Sequence, residues 1–211
     1  MTGTTAGIRC RRQTVTVLFV DIVGFTSIVD ELDCADVRDL QMDYFTAVSA
    51  RVQAAGGVVE KFIGDAVMAV FGTTGAAAGT PEHAGCAAAD AVRAGLEIQE
   101  ALRGRLLAGR FPVRTRVGLA TGDAIVDLDR TRDGGYGMVS GSVVSTAARL
   151  QAYAPHDTVV VCAATRAVTD EAVAYQEMPP VSVAGKSAPV ELSRALHPQT
   201  LTTGPALLTC G

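Results

Sequence analysis

Two aspartates set among short apolar runs constrain this chain more than any other feature. Asp21 ends the β-branched and aromatic run of residues 15–21, and Asp65 lies between the apolar runs 58–63 and 66–71. The first run predicts a buried central strand, and the other two predict a tight hairpin with the acid at its tip. Both carboxylates would then be fixed at strand ends. Two fixed carboxylates can share divalent cations about 3.5–4 Å apart, the geometry of metal-assisted phosphoryl transfer.

Helical periodicity follows the first strand and the hairpin. Apolar residues at three- and four-residue steps predict one helix over residues 35–55, capped by Asp33, and a second over residues 83–106. One strand, or two interrupted near Gly122, is expected within residues 113–126, and a short helix is expected over residues 142–151. The order strand, helix, hairpin, helix, strand is the ferredoxin-like βαββαβ arrangement. We therefore predict an α+β fold in which helices cover one face of a mainly antiparallel sheet, with C-terminal extensions.

The C-terminal extensions are expected to consist of short elements. Residues 158–161 predict a strand, and residues 165–170 a turn or short helix. Three final strands are expected near residues 172–175, 181–183 and 190–196.

The composition indicates one globular domain. The chain has 211 residues, of which 48% are hydrophobic and 19% charged, which excludes a disordered chain. Residues 1–13 and 197–211 lack periodicity, so we predict a flexible N-terminus and an unstructured tail around a domain of residues 14–196. The net charge of −4 argues against nucleic-acid binding. It permits an anionic small substrate, because bound metal can reverse the local sign of charge.

The cysteines and the N-terminus bear on location. The five cysteines are widely spaced and odd in number, which predicts free thiols in a reducing compartment. The arginines near the N-terminus are not followed by the apolar core of a signal peptide, because the apolar run of residues 15–20 is short, and that run is also too short to span a bilayer. We therefore expect a cytoplasmic protein that does not insert into membranes.

Four motifs, in order along the chain, carry a resemblance to a known family. They are residues 16–26 (TVLFVDIVGFT), 60–72 (EKFIGDAVMAVFG), 116–122 (RVGLATG) and 141–151 (GSVVSTAARLQ). Together they resemble the catalytic domain of the class III nucleotide cyclases, over about residues 13–196. Such enzymes convert a nucleoside triphosphate to a 3′,5′-cyclic monophosphate and pyrophosphate at sites formed between two catalytic domains. Since this chain carries positions for both halves of a site, the resemblance implies a homodimer with two equivalent sites.

The resemblance implies metal and phosphate contacts for the first two motifs. Asp21 and Asp65, with the backbone carbonyl of Ile22, would hold two Mg²⁺ or Mn²⁺ ions that activate the ribose 3′-hydroxyl and neutralise the leaving pyrophosphate. Considered alone, each aspartate would be interpreted as an ordinary turn residue, because aspartate is common in turns. A turn after the first strand would bring backbone N–H groups to phosphate oxygens. That turn consists of Gly24, Phe25 and Thr26.

Three basic residues match substrate contacts of the family. Lys61 matches the lysine that donates to adenine N1. Because an ammonium only donates, and guanine N1 bears a hydrogen, this residue predicts ATP rather than GTP. Arg149 matches the arginine that stabilises charge on the α-phosphate, a task that suits its permanent charge. Lys186 matches a lysine that contacts the triphosphate.

Two residues depart from the family pattern. Ser145 stands where the family usually has an asparagine that positions the ribose. Serine can still donate one hydrogen bond, or a water can fill the gap, and the sequence leaves both readings open. Met138 stands where an aspartate or threonine usually accepts from the adenine amino group. A thioether is only a weak acceptor, so Met138 is expected to line an apolar base pocket.

The resulting prediction is a homodimeric adenylate cyclase with two-metal catalysis, its activity weakened by Ser145 and Met138. The alternative is a catalytically silent cyclase-like domain that binds nucleotide, or only dimerises, in a regulatory role. The retained carboxylate pair favours the enzyme, and the two departures favour the silent domain. A guanylate cyclase is a lesser alternative that Lys61 disfavours.

Overall fold

A single large sheet organises the residues that the structure describes. The computed structural model describes residues 10–74, 78–107, 109–129, 138–181 and 189–197. The strands are β1 Cys10–Ile22, β2 Val58–Ile63, β3 Ala66–Phe71, β4 Leu106–Leu107, β5 Phe111–Pro112, β6 Thr115–Asp127, β7 Val139–Ser140, β8 Thr158–Cys162, β9 Tyr175–Val181 and β10 Val190–Ala195. The helices are α1 Phe25–Val29, α2 Cys34–Ala54, α3 Pro81–Leu102, α4 Ser142–Tyr153 and α5 Ala163–Ala167.

The topology of the sheet confirms the predicted ferredoxin-like core. Eight strands have the order β2-β3-β1-β6-β8-β10-β9, with β7 paired to β6, while β4 and β5 pair separately. The only parallel pair among the described strands is β6 with β8. The core elements β1, α2, β2, β3, α3 and β6 follow the predicted βαββαβ order. Asp33 caps α2 as predicted, accepting the N–H groups of Ala35 and Asp36.

The central strands are buried on both faces, and different helices cover each face. Leu18 and Val20 of β1 pack with α2 and α3, on what we call the α2/α3 face. Val17 and Phe19 pack with α4, on what we call the α4 face. The prediction that helices cover one face is therefore wrong for α4. A strand whose consecutive residues are all buried needs cover on both sides.

Strand β1 begins earlier than predicted. It starts at Cys10, so residues 10–13, predicted to belong to a flexible N-terminus, are part of the sheet. The antiparallel ladder with β6 continues to that first residue, and Arg12 forms an ion pair of 2.7 Å with Asp123 across the two strands. Residues 1–9 lie outside the described residues.

An edge strand begins where the first of two predicted short strands was expected to end. The sequence predicts strands near residues 172–175 and 181–183, whereas β9 begins at Tyr175, ends at Val181 and contains Pro179 and Pro180. Residues 182–183 of the second predicted strand lie outside the described residues. Proline cannot donate to a ladder, but an edge strand tolerates it because only one side is paired. Of the predicted tail, residues 197–211, all but the first residue lie outside the described residues.

The cysteines only partly follow the prediction. Cys10, Cys34 and Cys162 are free thiols. Cys86 is disulfide-bonded, so the expectation of free thiols is wrong at that position. Among the described residues, no helix combines the length and the apolar character needed to cross a bilayer.

Candidate active site

The two predicted metal ligands lie side by side at one end of the sheet. The β1–β3 ladder continues to the pair Val20 and Val67, which brings the turn between β2 and β3 next to Asp21. In that turn, Oδ2 of Asp65 accepts the N–H of Ile22 at 3.1 Å. The carboxyl groups of Asp65 and Asp21 also share a hydrogen bond. The structure thus brings together the three residues predicted to hold metal.

The proximity of the two carboxyl groups changes the protonation of Asp65. The pKa of Asp65 is raised to about 7, first by burial and then by the hydrogen bond and the negative charge of Asp21. Two neighbouring carboxylates without a cation favour sharing a proton. Near neutral pH the pair is therefore a site with an excess of negative charge.

A buried hydroxyl lies close to the pair. Tyr44 of α2 is 1% exposed, and its hydroxyl has no hydrogen-bond partner within the described part of the chain. Burial raises the pKa of Tyr44 well above its usual value, and the charges of Asp21 and Asp65 raise it further. The sequence assigned Tyr44 only to the apolar face of its helix. A buried polar atom without a partner, beside two acids, indicates a site completed by another group.

These residues fit a pair of divalent cations. Mg²⁺ and Mn²⁺ prefer oxygen ligands, and protein sites for Mg²⁺ commonly combine one or two carboxylates with substrate phosphates. Asp21 and Asp65 provide the two carboxylates. No group of three or more His, Cys, Asp and Glu side chains able to hold a metal occurs in the described residues. Further ligands would therefore come from the backbone, as predicted for Ile22, and from the substrate.

Asp21 has a second partner that the sequence did not reveal. Nε2 of Gln151, on α4, donates to Oδ2 of Asp21 at 3.0 Å. Gly118 of β6 makes this approach possible, because a Cβ atom there would lie 2.1 Å from the backbone nitrogen of Gln151 and 2.7 Å from the carbonyl oxygen of Ala147. The absence of a side chain lets α4 lie directly on the sheet.

The predicted catalytic residues of α4 are not bonded to the carboxylate pair of their own chain. Ser145 is exposed, and its hydroxyl donates to the carbonyl of Ser142 at 3.0 Å. Arg149 is half-buried and forms no hydrogen bond or ion pair with described residues. Since Gln151 follows Arg149 by two residues, the two side chains leave the helix about 200° apart. The side of α4 that contacts Asp21 is therefore not the side that carries Arg149.

The predicted base-pocket residues meet on the α4 face. Lys61 pairs with Met68 across the hairpin, and Met138 is 1% exposed within the same hydrophobic cluster. Glu60, which sequence reasoning missed, accepts the N–H of Met138 at 3.0 Å and lies 3.1 Å from Nζ of Lys61. The side chain of Met138 is buried within the hydrophobic cluster of the α4 face, and its contact with a base stays a prediction. Lys186 lies outside the described residues.

The predicted phosphate turn joins β1 to α1. Gly24 has a left-handed φ of 73° and caps α1. A Cβ atom at this position would meet nothing within 4 Å, so glycine is needed for the backbone conformation rather than for space. Phe25 packs against the cluster on the α2/α3 face, while Thr26 is exposed. Phosphate binding by this turn stays a prediction.

Comparison with known proteins agrees with these motifs and this topology. The family described as the adenylate and guanylate cyclase catalytic domain matches residues 9–194. Adenylate cyclase 1 of Rhizobium meliloti is 34% identical over 141 residues, which cover 66% of this chain and 21% of that protein. Among solved structures, the adenylyl cyclase CyaB from P. aeruginosa is similar with a TM-score of 0.76 and 24% identity. The guanylyl cyclase Cya2 is similar with a TM-score of 0.75 and 25% identity.

The extent of these matches differs between sequences and structures. Both structural matches cover 91% of this chain and 98% of the other, so the similarity of fold extends over most of this chain. The chain spans less than a quarter of the length of the curated relatives that it matches. With most of its residues matched, the chain belongs to the family of adenylate and guanylate cyclase catalytic domains.

Proposed function

We propose that this domain is an adenylate cyclase that converts ATP to 3′,5′-cyclic AMP and pyrophosphate in a homodimer. The observation that carries the proposal is the contact between the carboxyl groups of Asp21 and Asp65. Because the two groups are partly buried and repel each other, a bound cation would stabilise their charged forms. When bound there, Mg²⁺ or Mn²⁺ ions would supply Lewis-acid activation of the ribose 3′-hydroxyl and neutralisation of the leaving pyrophosphate.

The remaining residues act on the parts of ATP that the carboxylates do not reach. Arg149 would donate to the α-phosphate oxygens, where negative charge develops during cyclisation. Lys61 would donate to adenine N1, which accepts a hydrogen bond where guanine N1 cannot. Gly24 and the amides that follow it would hold phosphate oxygens, and Met138 would pack against the base.

Two features support a site shared between two copies of the chain. Arg149 leaves α4 on the side opposite to Gln151, which contacts Asp21, so a partner's Arg149 is better placed to face the carboxylate pair. In addition, Phe62 and Ile63, which lie between the predicted base-recognition and metal positions, are 48% and 52% exposed. Large exposed apolar side chains beside a polar site are typical of protein interfaces.

The test is cyclic AMP formation by purified protein with Mn²⁺ and ATP. We expect turnover that disappears in Asp65→Asn, since the amide can still accept the N–H of Ile22 but cannot bind a cation. The matched control is Asp90→Asn, which removes an acid that pairs with Arg93 on the surface of α3 and should retain full activity. Equal turnover in wild type and Asp65→Asn would refute the assignment.

A second candidate is a silent domain that binds ATP without cyclising it. The observation that favours it is the hydroxyl of Ser145, which donates to its own helix backbone and so is not directed to a ribose. Binding of ATP and Mn²⁺ by wild type without any cyclic AMP, at protein concentrations that saturate dimer formation, would establish this candidate.

A further inference from the structure

Strand β2 contains an irregularity at the predicted base-recognition position. Val59 pairs with Ala69 and Lys61 pairs with Met68, so Glu60 is an extra residue between two consecutive pairs. This is the pattern of a β-bulge, a feature that re-aims side chains and is enriched beside functional sites. In a regular strand, two consecutive side chains point to opposite faces. Here the bulge lets Glu60 and Lys61 point to the same α4 face.

The bulge buries a carboxylate between the two predicted base-pocket residues. The side chain of Glu60 is fully buried, and that of Lys61 is 30% exposed. Oε1 of Glu60 accepts the N–H of Met138 at 3.0 Å. Oε2 lies 3.1 Å from Nζ of Lys61 but accepts no hydrogen bond within the described residues. Charge attraction, rather than a directed hydrogen bond, therefore joins Glu60 to the ammonium.

Such an arrangement is costly unless it serves a purpose beyond packing. A buried carboxylate loses its hydration, and one ion pair with a neighbouring residue rarely gives net stabilisation. Hydrophobic residues flank this position on the α4 face, as Val58 and Met68 do, so an apolar residue would suit the core. A charge retained in such a place can instead fix the position of its partner.

We propose that Glu60 is a positioning residue for substrate specificity, which fixes the ammonium of Lys61 and the backbone at Met138 so that the pocket prefers adenine over guanine. The proposal rests on the function proposed above. An ammonium discriminates between purines only if it is directed at N1, because a mobile ammonium can also reach guanine O6, an acceptor. Glu60 thus acts through Lys61 and does not itself contact the base.

The experiment compares the binding of 3′-deoxy-ATP and 3′-deoxy-GTP, which cannot be cyclised, in the presence of Mn²⁺. Glu60→Gln keeps an oxygen for the N–H of Met138 and removes only the charge opposite Lys61. We expect the preference for the adenine nucleotide, measured as the ratio of the two Kd values, to fall about tenfold. If Glu60 had only a structural role, Glu60→Gln would weaken the binding of both nucleotides equally, because they share ribose and triphosphate. An unchanged ratio of the two Kd values would therefore overturn the proposal.

Two further variants isolate the pair. Glu177→Gln removes the same charge from another ion pair of 3.1 Å, with Arg166 at the far edge of the sheet, and should leave the ratio unchanged. In a Lys61→Met background, Glu60→Gln should change the ratio no further, since Glu60 acts through the ammonium. An additional change in that background would contradict a positioning role.

The wild-type protein provides a measurement that does not require any Glu60 variant to fold. An ammonium fixed beside a buried carboxylate has a restricted side chain, so NMR relaxation at the end of the Lys61 side chain should show less ps–ns motion than in exposed lysines. Motion as free as that of an exposed lysine would overturn the proposal. Because nucleotide binding and side-chain motion are both measured without turnover, wild-type protein that binds 3′-deoxy-ATP but forms no cyclic AMP would disprove the proposed activity and leave the Glu60 result interpretable.

Discussion

At the scale of single residues, Asp65 makes stability depend on pH. Its pKa is about 7 in the folded protein, against 3.8 for an ordinary aspartate. Between these two values the folded protein binds more protons than the unfolded chain, so the free energy of unfolding falls as pH rises through this window. We expect the Tm of metal-free protein to fall between pH of about 4 and about 7, and we expect Asp65→Asn to remove this part of the pH dependence.

Metal binding should reverse the sign of this dependence. A cation must displace the proton that Asp65 and Asp21 share, so added Mn²⁺ should raise Tm more at the higher pH than at the lower. Thermal unfolding followed by circular dichroism at both pH values, with and without Mn²⁺, measures both effects. Identical pH profiles for wild type and Asp65→Asn would show that the carboxyl pair does not carry the shifted proton.

Ser145 is the residue at which we expect a single substitution to raise the catalytic rate. Its hydroxyl already donates to the carbonyl of Ser142, so it offers little to a ribose, whereas an asparagine side chain extends past the helix backbone. We expect Ser145→Asn to raise kcat about tenfold, the size typical of one well-placed polar contact in a transition state. Initial rates of cyclic AMP formation at saturating ATP measure this.

The matched control for Ser145→Asn lies one residue further along α4. Thr146 makes the same contact with the carbonyl of Ser142, at 2.9 Å, but leaves the helix about 100° away. Thr146→Asn should therefore bring no gain in rate. A rate for Ser145→Asn equal to or below that of wild type would mean that another group, such as a bound water, already fills the position.

At the scale of elements, the seating of α4 depends on one glycine of β6. A Cβ atom at Gly118 would lie 2.1 Å from the backbone of Gln151. The backbone of a packed helix cannot move aside as easily as the end of a flexible side chain. We expect Gly118→Ala to lower the free energy of unfolding by about 1–3 kcal/mol, as overpacking does, and to lower kcat because α4 carries Arg149. Urea denaturation and initial rates measure the two effects.

Gly122 of the same strand provides the comparison. A Cβ atom there would lie 3.6 Å from Cβ of Val143, which is an ordinary packing distance. The free energy of unfolding of Gly122→Ala should therefore lie within about 0.5 kcal/mol of the wild-type value. If both variants lost the same free energy of unfolding, close contact at Gly118 would not be what holds α4.

The sequence predicts the hairpin of β2 and β3 but not the bulge within it or the contacts between elements. The hairpin of β2 and β3 follows its predicted bounds, because apolar runs around a Gly-Asp dipeptide determine it locally. The bulge at Glu60 could not be predicted, since a period of two assigns neighbouring residues to opposite faces. The contact of Gln151 with Asp21 depends on a glycine in another element, and helical periodicity alone makes Tyr44 an ordinary core residue.

At the scale of the whole molecule, the fold divides the predicted site between two faces of α4. The carboxylate pair of one chain is reached by Gln151, whereas Arg149 leaves the helix on another side. The proposed two-fold homodimer would convert this division into two equivalent sites, each with carboxylates from one copy and Arg149 from the other. The resemblance carried by the motifs already implied both the residues of the site and their distribution between copies, and the arrangement of α4 supports that distribution independently.

This distribution predicts a pattern of rescue between inactive variants. In a mixed dimer of Asp21→Ala and Arg149→Ala, one site carries both changes and the other carries neither. Random mixing of equal amounts should therefore restore about one quarter of wild-type turnover. Mixing Asp21→Ala with Asp65→Ala should restore no turnover. Because both carboxylates of a site come from the same copy, every site in this mixture lacks either Asp21 or Asp65. Absence of rescue in the first mixture, despite mixed dimers seen by native mass spectrometry, would show that each site is built within a single chain. Rescue in the second mixture would show that the two carboxylates of one site come from different copies.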